Sequence, residues 1–163
     1  RQAKTLAARA LPQPLVRIAV MGVCLSALLL LLHAGRYCGL GTNLISACFS
    51  GETVYSYDWL LKLALTIGTL AAGYQGGEVT PLFSIGATLG VLLSGIGLPV
   101  QLTAALGYAG VFGSATNTML APVLIGAEVF GMSNLPYFFI VCVISFACNR
   151  NASIYTKQYV TQF

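Results

Sequence analysis

Gly73-Tyr-Gln-Gly-Gly-Glu-Val-Thr-Pro-Leu-Phe-Ser-Ile-Gly-Ala-Thr-Leu-Gly90 is the stretch on which the reading of the chain turns. A glycine-rich turn holding one carboxylate, Glu78, runs through Thr80 and Pro81 into an apolar segment. A helix tolerates proline in its first turn, where the missing N–H was unpaired anyway, so Pro81 predicts a helix start. Thr80, just before it, is the expected N-cap. Gly76 and Gly77 let the backbone come close to a ligand, and the helix start behind them presents free N–H groups. The flanking sequence is apolar enough to lie in a membrane. A polar, glycine-broken turn at that depth lines an ion or substrate path.

Composition supports that setting. Of the 163 residues, 57% are hydrophobic and 7% charged, whereas about a quarter of a soluble domain is charged. No charged residue occurs in the 49 positions between Glu78 and Glu128, the 21 between Glu128 and Arg150, or the 18 between Arg17 and Arg36. Each interval is near or above the roughly 20 residues that cross a bilayer. The chain reads as an integral membrane protein.

The net charge of +4 is unevenly placed, with Arg1, Lys4, Arg9 and Arg17 all preceding the first long apolar run. That bias puts residues 1–14, a basic and alanine-rich arm ending in Leu11-Pro-Gln-Pro14, on the cytoplasmic side. No basic patch recurs with interleaved aromatics, so nucleic acid is not an expected partner. A signal peptide would need a small-residue cleavage site, and His33-Ala-Gly-Arg-Tyr37 is a poor one. The five cysteines form no CxxC pair and no metal-ligand spacing with the single His33, and they read as packing residues and free thiols. The chain begins with Arg rather than Met, which points to a processed product or a piece of something longer.

In order, apolar helices are expected over Leu15–His33, Trp59–Gly73, Pro81–Gly97, Pro99–Phe112, Leu120–Gly131 and Asn134–Cys148. Thr42–Phe49 is too short to span. Ser50–Asp58 is polar and interfacial, with Tyr55, Tyr57 and Trp59 as an aromatic belt. Gly113-Ser-Ala-Thr-Asn-Thr118 is a second polar interruption, and Asn149 opens a last break followed by a short polar helix. Gly86, Gly90 and Gly95 are spaced to let membrane helices approach closely. Seven or eight helical pieces, several too short to cross alone, belong to channels and secondary transporters rather than up-and-down receptors.

Among groups that carry chemistry, Glu78 is the sharpest, because a carboxylate deep in apolar sequence is expensive and tends to lie on an ion or proton path. The bland reading is an interfacial Glu in a solvated loop. Glu128 is expected to accept hydrogen bonds from a neighbouring helix, His33 to sit at an interface, and Asn117 to cap the helix from Leu120. Tyr155 has two readings. Its hydroxyl points into the same interior as the Gly77–Pro81 turn, giving a donor set for a dehydrated anion, or it is an interfacial tyrosine. No nucleophile–base pair, HExxH, P-loop or G-x-S-x-G occurs, so no enzyme, cofactor or metal is expected.

These strings resemble the CLC family of chloride channels and proton-coupled antiporters. Gly77-Glu-Val-Thr-Pro81 and the run to Gly90 resemble its G-x-F-x-P anion-binding turn. The longer Gly73–Phe83 string resembles the branch that exports fluoride from bacteria. Phe112–Ala121, Gly126–Gly131 and Ser153-Ile-Tyr155 look like its later helices. Val79 stands where most members have Phe, which favours the fluoride branch, and Met119 stands where a proline is usual. The resemblance implies an all-α membrane protein of broken and re-entrant helices, the second inverted repeat of a CLC-type transporter, over residues 15–163. It implies an anion pathway built on Gly76, Gly77, Glu78, Val79, Thr80, Pro81 and Tyr155, with the amides near 78–80 and the Tyr155 hydroxyl facing the ion. Its partners would be fluoride or chloride, protons and the lipid bilayer. It further implies a bacterial inner-membrane homodimer, with the first helix and residues 115–131 and 134–149 at the interface. The G-x-E-G-P gating turn of the family's first half is missing here, so the expected chain is the C-terminal half of a fluoride/proton antiporter that does not transport unaided. The alternatives are a fragment of a chloride channel or chloride/proton antiporter, or a non-transporting membrane subunit.

Overall fold

Two helices packed along their length organise everything else in this computed structural model, which describes residues 2–149 and 152–155, without the side chains of Gln2 and Ile96. They are α5 (Val79–Leu93) and α6 (Val100–Thr116). Gly86 lies against the Gly107 carbonyl and Gly90 against that of Thr103, so the pair is antiparallel. A Cβ at either glycine would overlap the facing backbone, which is the close approach that small residues permit. Gly95 has open space around it and takes no part. Phe83 stacks on Tyr108 with ring centroids 3.9 Å apart and leans on Phe112, extending the seam.

On the α5 side lie α3 (Thr42–Ser50) and α4 (Asp58–Ala72). On the α6 side lie α7 (Leu120–Phe130) and α8 (Leu135–Cys148), around a core of Ala105, Ala109, Val123, Phe138 and Cys142. The first two helices, α1 (Gln2–Ala10) and α2 (Pro14–Leu31), pack on α4. The basic N-terminal arm is therefore largely helical. Helix α2 has the length and apolarity to cross a membrane and buries no residue in the fold. Leu15, Val23, Leu30 and Leu31 stay exposed along it, a surface suited to lipid or another chain. Among the described residues there is no strand.

Several expected boundaries move, for local reasons. Helix α5 starts at Val79 with Glu78 as its N-cap residue, so Thr80 does not cap it. Pro81 still falls in the first turn, where no hydrogen bond is lost. Its C-terminal end is Leu93, followed by a 3-10 turn over Ser94–Ile96. Helix α6 runs through the expected interruption as far as Thr116, because the Thr116 hydroxyl donates to its own helix at the Phe112 carbonyl, 2.8 Å away. Asn117 then stops it in the left-handed region at φ 52°, as the C-cap of α6; the residue preceding α7 is Met119. Asn117 therefore does not cap the helix from Leu120. Glu128 sits on the exposed face of α7, with no hydrogen-bond partner from a neighbouring helix among the described residues. The polar helix expected after Tyr155 lies outside the described residues.

Candidate functional site

The turn between α4 and α5 is held at its first residues and open at its last. Gly73, at φ 104°, closes α4 in the left-handed conformation that glycine favours. Arg17 on α2 donates to the Ala72 carbonyl at 3.1 Å, and the Tyr74 hydroxyl donates to that of Ile18 at 3.0 Å. Beyond Tyr74 the fold makes few demands. Gly76 and Gly77 are exposed and have no positive φ. A Cβ at Gly76 would meet nothing within 4 Å, and one at Gly77 only the tip of Leu40 at 3.8 Å. Neither glycine is forced by backbone geometry or crowding; what their lack of side chain provides is bare backbone.

Helix α5 begins directly behind. No side chain caps it, and the N–H groups of Val79 and Thr80 have no carbonyl four residues back within the helix to bond. Glu78 is half-buried and makes no ion pair or hydrogen bond through its carboxylate among the described residues. Pro81 is buried. Residues 76–81 thus combine free amide donors, the positive end of a helix dipole and one unpaired carboxylate.

Tyr155 reaches the same end of the molecule by a route invisible in sequence. The register of Gly86 on Gly107 and Gly90 on Thr103, followed back along α5, brings Glu78 level with Ala115 on α6. There the C-terminal carbonyls of α6 are taken up by the last described segment. The Ile154 N–H donates to Ala115 at 2.9 Å and the Ser153 hydroxyl to Thr116 at 3.1 Å. Asn149 adds a bond to the Asn117 side chain at 3.2 Å. Tyr155 follows, 48% exposed, its hydroxyl without a protein partner among the described residues. The amides of 76–80 and the anchored segment that leads to Tyr155 lie at one end of the α5–α6 pair.

On the other side of the turn is a cluster that sequence reasoning passes over. The loop between α2 and α3 is clamped to the start of α4 by Asp58, which is fully buried and pairs with Arg36 at 2.9 Å. Tyr37 donates its hydroxyl to the other Asp58 oxygen, and the Tyr55 N–H adds a bond at 3.0 Å. One turn along α4, Lys62 is 3% exposed and donates to the carbonyls of Tyr37 and Gly39 at 2.9 and 2.7 Å. Lys62 also lines a cavity of about 180 Å³ together with Gly76, Gly77 and Pro81. The signal available in sequence was a lone charge inside the apolar run 59–73. His33, exposed and bonded to the Tyr57 hydroxyl at 3.0 Å, stacks with Tyr55 and Tyr57. All five cysteines are free thiols, and no metal-binding cluster occurs among the described residues.

Comparison with known proteins bears on the fold and the family. The profile of the family described as voltage gated chloride channel matches residues 2–150. The matched region includes most of the N-terminal arm. A chloride/fluoride channel protein of Pseudomonas syringae pv. tomato is 40% identical over 126 residues, covering 77% of this chain and 28% of the relative. A crystal structure of a CLC-type fluoride/proton antiporter superposes with a TM-score of 0.92 at 55% identity, covering 95% of this chain and 40% of that one. The chain thus spans well under half the length of either.

Proposed function

Because this chain belongs to the voltage gated chloride channel family, a family of membrane channels and transporters, we propose that it forms the anion-binding C-terminal half of a fluoride/proton antiporter. The observation that carries the reading is the uncapped start of α5 behind two bare glycines, with Tyr155 anchored at the same end of the α5–α6 pair. Fluoride is small and strongly hydrated, so a site must replace its water with closely spaced donors. The amides around Glu78, Val79 and Thr80 and the hydroxyl of Tyr155 are such donors, and the dipole of α5 adds favourable potential. Gly76 and Gly77 leave the ion free access to them, and Pro81 keeps the helix start rigid. Glu78, unpaired beside the amides, is placed to exchange a proton or to order the anion's passage.

The rest of the assembly is proposed with it: a multi-pass protein of a bacterial inner membrane, residues 1–14 on the cytoplasmic side. A complementary N-terminal half completes the path, and a homodimer is joined through α2, α7 and α8. The outward apolar residues Leu120, Leu124 and Ile140 suit such a contact.

The test is fluoride efflux from liposomes holding the complete protein, read with a fluoride electrode together with internal pH. Fluoride efflux accompanied by proton entry, lost in Glu78→Gln, is the expected result. Chloride flux that outcompetes fluoride would move the reading to a chloride transporter, and unchanged transport in Glu78→Gln would overturn the role given to that residue.

A further inference from the structure

Resting on the transport reading above, we propose that Lys62 and the cavity beside it form a second anion subsite, which takes a small halide with part of its water shell. The cavity, about 180 Å³, has room for an ion and several waters. Among the described residues Lys62 is the only charged one in its wall. An ammonium has three N–H donors, and two are spent on the Tyr37 and Gly39 carbonyls. Its charge has no carboxylate partner among the described residues. Asp58, one turn earlier on α4, is already engaged by Arg36, Tyr37 and Tyr55, and the Arg36–Asp58 contact is the one ion pair there. Glu78 makes no ion pair with it either.

A buried charge without a counter-ion is costly, and the other polar groups of the wall do not supply one. The hydroxyls of Thr66, Thr69 and Tyr74 donate to the carbonyls of Lys62, Thr66 and Ile18. What remains is the third ammonium hydrogen, for which no acceptor occurs among the described residues, and a cavity wall that includes the bare backbone of Gly76 and Gly77. A halide is the partner this arrangement lacks. Sharing Gly76, Gly77 and Pro81 with the turn, the cavity adjoins the amides of α5, so an ion held at Lys62 waits next to the main site.

The alternative is that Lys62 only staples the loop at Tyr37 and Gly39. Fluoride efflux by the complete protein, measured against fluoride concentration, separates the two. Lys62→Gln keeps hydrogen-bond donors for the carbonyls and removes the charge; the subsite predicts a KM for fluoride raised about tenfold, with Lys62→Arg near the original value. A staple predicts a lower unfolding temperature and lower kcat at unchanged KM, and that outcome overturns the proposal. Should Lys62→Gln fail to fold, Leu40→Trp decides: Leu40 is 48% exposed and lines the cavity, so the indole fills it from a tolerant position. A raised fluoride KM supports the subsite, and an unaltered one removes it. Absence of fluoride flux in the unmodified protein would instead defeat the transport reading itself.

Discussion

Asp58 and Glu78 stand at the starts of successive helices, α4 and α5, and the fold treats the two carboxylates in opposite ways. Asp58 is fully buried and accepts from the Arg36 guanidinium, the Tyr37 hydroxyl and the Tyr55 amide. Glu78 is half-buried, its side chain makes no capping bond, and its carboxylate has no partner among the described residues. The glycines nearby differ in the same sense. Gly41, at φ 83°, is wedged so that a Cβ would sit 2.9 Å from Lys62 Cε and Ser84 Cβ, while Gly76 and Gly77 face open space. One region spends its polar groups on holding a loop to a helix; the other leaves them unspent. A carboxylate and amides kept free at the mouth of a helix are available to a ligand, whereas Asp58 is consumed by structure.

Mutations break this contrast in a graded way. Asp58→Ala leaves Arg36 and Tyr37 without their acceptor and is expected to cost about 3 kcal/mol. This is the low end of the range for buried pairs because the Arg36 side chain keeps 21% of its surface exposed. Trp59, the only tryptophan and next in sequence, reports the unfolding in detergent by fluorescence. Gly41→Ala comes next at roughly 2 kcal/mol, from a left-handed backbone and the collision with Lys62. Tyr37→Phe removes one hydrogen bond to Asp58 and is expected to cost about 1.5 kcal/mol by the same fluorescence melt. Glu78→Gln and Gly77→Ala close the series with stability changes within about 0.5 kcal/mol, yet fluoride efflux falls steeply in Glu78→Gln. A melt showing Glu78→Gln as damaging as Asp58→Ala would erase the distinction between the regions.

The helical content and the family were legible without coordinates. Long charge-free intervals and the Gly77-Glu-Val-Thr-Pro81 string are local properties, and they point to the family directly. Local rules misplaced the ends of elements. Gly113–Thr118 looks like a break because its residues are small and polar, yet Thr116 satisfies its hydroxyl on its own helix and lets α6 continue. Thr80 looks like a cap, but the helix starts one residue before it. Glu128 was expected to face a neighbour and instead faces outward, since which side of a helix is covered depends on its partners.

Sequence alone determined that this chain is apolar, helical and broken, and that a glycine turn with one acid opens its central helix. Those traits follow from hydropathy, side-chain spacing and the backbone freedom of Gly and Pro, which act within a few residues. Only the tertiary structure decided that the segment before Tyr155 is tied to the end of α6, that Asp58 is spent in an ion pair, and that Lys62 lies beside the turn. Those depend on the antiparallel register of α5 on α6 and on a loop folded back over α4. Contacts between residues far apart in the chain obey packing and charge pairing, which leave no periodic trace in sequence.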